Sequence, residues 1–258
     1  MIEYILIPSF IILASLLGYA LRFLTKSGSV LAVFVGLLIC FGLGIKGLIL
    51  LGIFFASSSF WSVYKRKDKM VVEEKHAKGS RRDYQQVLAN GGMAALISVL
   101  YGFFQTNSLL LAFCVFIATS NSDTWASEIG TLSKKRPYSV RTFSVVERGT
   151  SGAVSLLGTM AAVVGAMVIA YSSYVLFNLQ ISEFWVIFLF GFLGNVIDTF
   201  LGAYVQALFR CSRCGVETEK MVHCQRKTAL IRGRKFFNND VVNFISGFAP
   251  AIAILLMY

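Results

Sequence analysis

The sequence predicts an all-α fold, a polytopic bundle of about eight transmembrane helices with basic cytoplasmic loops, on three observations. Hydrophobic residues make up 56% of its 258 residues, charged residues only 14%, and the mean hydropathy is +0.70. A soluble domain carries about a quarter charged residues, so the deficit marks an integral membrane protein. The apolar residues fall into runs approaching the roughly 20 needed to cross a hydrocarbon core about 30 Å thick. Between the runs, the basic residues are concentrated on alternate connections.

The first expected span, Tyr4–Phe23, is a retained helix, because Met1–Phe23 lacks a basic start and runs too long for a cleavable signal. Val30–Leu43 and Leu48–Tyr64 follow, then Gln86–Phe104, Leu109–Asn121, Gly152–Phe177, Phe184–Phe209 and Val241–Tyr258. Val30–Leu43 and Leu109–Asn121 are short, so re-entrant or extended segments would also fit, leaving seven or nine spans open. The whole of 1–258 reads as a single integral membrane domain with cytoplasmic loops at 65–85, 131–150 and 210–239.

In a soluble chain a net charge of +11 would suggest nucleic acid, but here its distribution reports topology and no nucleic-acid partner is expected. Lys65 to Arg82, Lys134 to Arg148 and Arg210 to Lys235 hold nearly all the Lys and Arg, whereas Gln105–Ser108 and Asn178–Glu183 hold none. Positive loops stay in the cytoplasm. A multi-pass protein of the plasma membrane with both termini outside is therefore expected. A basic inner surface also attracts anionic headgroups and phosphates.

Cys40 and Cys114 lie in apolar spans as small core residues. Cys211 and Cys214 form a Cys-x2-Cys pair, with His223 and Cys224 shortly after. That spacing suits a structural Zn2+ with His223 or Cys224 completing a tetrahedron, the alternative being reduced thiols without metal.

Polar residues within the spans carry the functional signal, because a charge inside a bilayer is costly and persists for function. On a helix, Gly191, Asn195, Asp198, Thr199, Gly202 and Gln206 share one face, opposite Phe190, Leu193 and Phe200. Asn121, Thr124 and Glu128 make a second stripe, with Asp123 and Ser127 on the adjoining face. Asn121-x-Asp-Thr and Asn195-x-x-Asp-Thr echo each other as a weak internal repeat. Asp240 and Asn243 line one side of the last span, where helix capping is the plain alternative, and the fourth opens with Gln86 and Asn90. Asp123, Asp198 and Asp240 with neighbouring amides suit Mg2+, which takes oxygen ligands and shares its shell with substrate phosphate. Arg148 and the glycine and hydroxyl-rich Gly149–Gly152 lead into a helix start, an arrangement suited to an anion.

At Arg82-Asp83-Tyr-Gln-Gln-Val-Leu-Ala-Asn90-Gly-Gly, Asn121-Ser-Asp-Thr-Trp-Ala-Ser-Glu-Ile-Gly130, Arg148-Gly-Thr-Ser-Gly152, Asp198-Thr-Phe-Leu-Gly-Ala203 and Asn239-Asp-Val-Val-Asn243, the chain resembles a known group. These are multi-spanning membrane proteins, formerly of unknown function, whose plant chloroplast member is a phytyl-phosphate kinase. More distantly it is similar to polyprenol kinases and CDP-diacylglycerol synthases, which use CTP. Val146-Glu147-Arg148-Gly149 stands where those enzymes usually have Lys-Thr-x-Glu-Gly, which leaves the nucleotide open.

The resemblance implies an isoprenoid-phosphate kinase, using Mg2+ and CTP or ATP to convert a phytyl or prenyl monophosphate into its diphosphate. Asp123 and Asp198 would hold the metal together with Asp240, Glu128 would orient it, and Lys135, Arg136 and Arg148 would hold nucleotide phosphates. Asn90, Asn121, Thr124, Asn195 and Asn243 would fix substrate geometry. The alternatives are a transporter or scramblase of a phosphorylated lipid or ion, and a cytidylyltransferase making a CDP-lipid.

Overall fold

The computed structural model describes residues 2–74 and 76–258, most of them helical. The helices are α1 (Ile2–Ala20), α2 (Lys26–Val63), α3 (Arg66–Glu73), α4 (Tyr84–Val87), α5 (Met93–Phe104), α6 (Asn107–Gly130), α7 (Leu156–Phe177), α8 (Ile181–Tyr204) and α9 (Asn239–Met257). A π-helical turn at Leu88–Gly92 joins α4 to α5 into one rod. Among the described residues, six helices, that rod included, are long and apolar enough to cross a membrane, and α1 supplies a shorter apolar stretch at Leu6–Ala20.

One of the six is a folded pair. Gly44 sits at φ 61°, ψ −151°, a conformation that glycine takes readily and other residues do not. A continuous α2 would hold Gly28 and Ser59 about 46 Å apart at 1.5 Å per residue. Instead both lie on Arg82: Gly28 abuts its carbonyl, and its Nη1 donates to Ser59 Oγ at 3.0 Å. The chain therefore reverses at Gly44, and the spans expected at Val30–Leu43 and Leu48–Tyr64 are the two antiparallel arms. Eight passes result, with both termini on the face opposite the three basic connections.

Leu109–Asn121, which looked short, runs on as α6 to Gly130, and every residue from Leu109 to Ser122 is buried. α6 is the central column, touched by α2, α5, α7, α8 and α9. Protein rather than lipid surrounds its polar residues. Ser122 Oγ donates to Ala162 O at 2.9 Å and Asn121 Nδ2 to Gly165 O at 2.8 Å, so the helix continues where hydropathy alone would end it. The α8 backbone presses on α6, with Gly191 against Ala118 and Gly194 against Thr119. Leu193 and Phe200 on the opposite side are exposed.

Other span boundaries move as well: the seventh runs Ile181–Tyr204 rather than Phe184–Phe209, the sixth starts at Leu156 rather than Gly152, and the eighth starts at Asn239 rather than Val241, with Asn238 as its cap. The basic connections carry short strands, so the all-α description holds for the membrane part only. β1 (Tyr138–Ser139) pairs with β2 (Ala153–Val154). β3 (Leu208–Arg210) lies between β4 (Glu217–Thr218) and β7 (Ala229–Arg232), and β5 (Val222–His223) forms a hairpin with β6 (Arg226–Lys227).

Candidate functional site

On the face carrying the basic connections, a cavity of about 350 Å³ opens where α6, α8, α9 and the π-helical turn end. Helix periodicity aims the α6 and α8 side chains into it, and the Arg148–Ser155 segment closes one side. Asp123 from α6 and Asp198 from α8 both line the cavity, near enough for their charges to interact. Asn195, one turn before Asp198, donates to Asp123 Oδ1 at 3.1 Å. Ser246 donates to Asp198 Oδ2 at 3.0 Å, and the Asn243 amide, turned to suit its neighbours, donates to the same oxygen at 3.1 Å. Two carboxylates from separate helices are thus braced by amides and a hydroxyl from α8 and α9. Asn90 and Thr124 also line the cavity, each tied to a carbonyl on its own helix.

Other residues named from the sequence stand differently. Asn121 is fully buried and does not line the cavity: it donates to Gly165 O and accepts from Ser57 Oγ at 3.1 Å, knitting α2, α6 and α7 together. Lys135 and Arg136 are exposed, and neither lines this cavity; Arg148 alone of the three cations does. Glu128 faces the cavity with both oxygens engaged, Oε2 by Lys69 Nζ and Oε1 by Ser62 Oγ, each at 2.7 Å. Asp240 lines the cavity too, paired with Lys78.

Lys69, Lys78, Arg82 and Glu219 line the same cavity and were not singled out as site residues. Lys78, Arg82 and Glu219 come from non-helical connections and Lys69 from the short α3 within one of them, all outside the periodic spans. Lys78 bridges Asp240 and Asp83, the latter at 2.9 Å. Burial pushes the Lys78 ammonium down, but the hydrogen bonds and charges of Asp240 and Asp83 outweigh it and hold it above its ordinary 10.5. Burial likewise pushes Asp83 up, yet Lys78 and the Gln86 amide hold it below 3.8. Glu219 Oε1 accepts from Gln206 at 2.7 Å and Ser151 at 2.9 Å, and His76 lies 3.4 Å away. Burial raises Glu219 as well, but the hydrogen bond and charge of His76 lead the contacts that keep it below 4.5.

Away from the cavity, Cys211, Cys214, His223 and Cys224 come together, with their ligand atoms all within 4.8 Å of one another. Where the spacing left His223 and Cys224 as alternatives, both are present.

Fold and site together define a multi-pass helical membrane protein with an acidic pair inside a polar cavity bordered by cations. The chain belongs to the integral membrane protein family DUF92, whose profile matches residues 9–251. It is 35% identical over 185 residues to an uncharacterized membrane protein of Methanocaldococcus jannaschii, covering 70% of this chain and 74% of that protein. It is 29% identical over 265 residues to Protein PGR of Arabidopsis thaliana, covering 92% and 90% respectively. With chloroplastic Protein VTE6 of the same plant it shares 28% identity over 239 residues, 91% of this chain and 65% of VTE6. No solved structure matches it.

Proposed function

We propose that this protein is a membrane-embedded kinase that transfers the γ-phosphoryl group of a nucleoside triphosphate onto an isoprenoid monophosphate, yielding the diphosphate. The observation that carries the proposal is the Asp123–Asp198 pair set in a cavity that also presents Arg148, Lys78 and Arg82. The motif resemblance to the group whose plant chloroplast member is a phytyl-phosphate kinase supports the same substrate class.

Phosphoryl transfer asks chiefly for positioning and charge neutralisation. Two carboxylates in a polar cavity fit Mg2+, a hard cation that takes few protein oxygens and shares its shell with phosphate. Asp123 and Asp198 would hold it, and when bound it would neutralise charge on the phosphates. Asn195, Asn243 and Ser246 keep both carboxylates oriented without adding charge. Arg148 and the Thr150–Ser155 backbone and hydroxyls offer an anion grip beside them, while Lys69 is already committed to Glu128. The acceptor phosphate brings its own nucleophilic oxygen, so the chain needs no strong base. The isoprenoid tail would lie in the bilayer against the exposed apolar faces, with the basic face in the cytoplasm of the plasma membrane.

The test is incubation of purified protein with Mg2+, ATP or CTP, and a panel of prenyl monophosphates, followed by mass spectrometry. A diphosphate product is expected, reduced about 100-fold or more in Asp123→Asn and Asp198→Asn if each neutralises charge in the transition state. A CDP-lipid product, or nucleotide-independent flux of a lipid phosphate into vesicles without diphosphate formation, would overturn the proposal.

A further inference from the structure

We propose that Cys211, Cys214, His223 and Cys224 bind one structural Zn2+ that fastens the β3–β7 connection against the cavity. Zn–S and Zn–N bonds of about 2.3 and 2.0 Å in a tetrahedron place two sulfurs about 3.8 Å apart and a sulfur and nitrogen about 3.5 Å apart. Cys214 and Cys224 Sγ are 3.8 Å apart, and His223 Nδ1 lies 3.4 Å from Cys214 Sγ and 3.3 Å from Cys224 Sγ. These match three of the six edges of a zinc tetrahedron, and all four ligand atoms, Cys211 Sγ included, lie within 4.8 Å of one another. A disulfide would need about 2.05 Å between sulfurs, and all the cysteines are free.

The backbone on both sides is shaped for ligation. After Cys214 the chain turns at Gly215 (φ 74°), with Gly215 N donating to Cys211 O at 2.9 Å and Cys211 N donating to Val216 O at 3.0 Å. That knuckle points two thiols the same way. The other two ligands sit at the β5–β6 hairpin, where Cys224 (φ 49°) and Gln225 (φ 60°) make a tight left-handed turn. Three thiolates and a neutral imidazole around Zn2+ leave one net negative charge, beside Arg213, Lys220, Arg226 and Lys227. All four positions are filled by protein, which makes the site structural.

The two ligand pairs bracket Glu219, which reaches from the end of β4 to Ser151 and Gln206 at the cavity wall. Metal binding would therefore order a cavity-lining carboxylate, independently of which reaction the cavity performs.

The test is elemental analysis of the purified full-length protein, expected to show one zinc per chain. Chelator-stripped protein titrated with Co2+ should develop the ligand-field bands of a tetrahedral thiolate site, and Zn2+ should displace it. Cys214→Ser and Cys224→Ser should lose the metal, and stripping should speed tryptic cleavage between Arg213 and Lys227, a readout that does not need activity. Folded wild-type protein that carries no zinc, gives no tetrahedral Co2+ spectrum and exposes all three loop thiols to a thiol reagent would overturn the proposal.

Discussion

Replacing Lys69 with Met tests whether Glu128 is a structural partner or a free carboxylate. Lys69 Nζ sits 2.7 Å from Glu128 Oε2, with side-chain exposures of 3% and 21%. Removing one member of a buried pair costs about 3–5 kcal/mol, because the survivor keeps an uncompensated charge. Lys69→Met strands Glu128, which retains Ser62 and some water, so its cost should lie near the lower end, about 3 kcal/mol. Glu128→Gln strands the more deeply buried ammonium, leaving it the Trp61 carbonyl, and should cost about 4 kcal/mol. Substituting both removes both charges and should recover roughly 2 kcal/mol relative to the summed single losses, within the range of contacting pairs. At about 2–4 °C per kcal/mol for a chain of this size, the single variants should lower the unfolding midpoint in a fixed detergent by roughly 6–16 °C. Strict additivity in the double variant would refute the pairing. So would a shifted Mg2+ dependence of phosphoryl transfer in Glu128→Gln, since that would place the carboxylate on the metal.

Three further outcomes follow from the same contacts. Asn121→Ala should cost about 1–3 kcal/mol by removing its hydrogen bonds with the Gly165 carbonyl and the Ser57 hydroxyl, the latter keeping Phe54 O and Trp125; turnover per folded molecule should stay near wild type, unlike Asn195→Ala, which unbraces Asp123. Gly152→Ala should fail to give monodisperse protein on size exclusion, because at φ 76° its Cβ would fall 2.3 Å from the Ala203 backbone, which cannot move aside. The Lys78–Asp83 latch should leave stability flat across neutral pH. Asp83 is held low, so its contribution is present above 3.8 and fades as pH falls through its depressed folded value; Lys78 is held high, so its contribution is present below 10.5 and fades as pH rises through its elevated one. Thermal midpoints of wild type and Lys78→Met against pH would check both limbs.

The membrane passes were legible because burying apolar surface in lipid and keeping Lys and Arg on one side both write themselves into composition. The acidic pair was legible too, since Asp198 shares a helix face with Asn195 and Gln206. Helix phase reports direction but not depth. Asn121 shares the stripe of Thr124 and Glu128, yet sits deeper, where α2 and α7 close over it, and so became a packing tie. Lys69 sits on the short α3, and Lys78 and Glu219 on connections that lack periodicity, so only the folded chain brings them to Glu128, Asp240 and Ser151. Lys135 and Arg136 show the converse: a conspicuous charge run left in solvent.

The reversal at Gly44 settles the parity of the whole molecule. Each pass through a bilayer exchanges inside for outside, so joining the two arms of α2 into one straight rod would invert every later connection. Lys78, Arg148 and the cysteine-bearing strands would then emerge opposite the end where Arg22 and Lys26 lie, and the Asp123–Asp198 cavity would open to the other compartment. A residue whose position would leave even an added Cβ without a neighbour within 4 Å thus decides which aqueous phase that cavity meets.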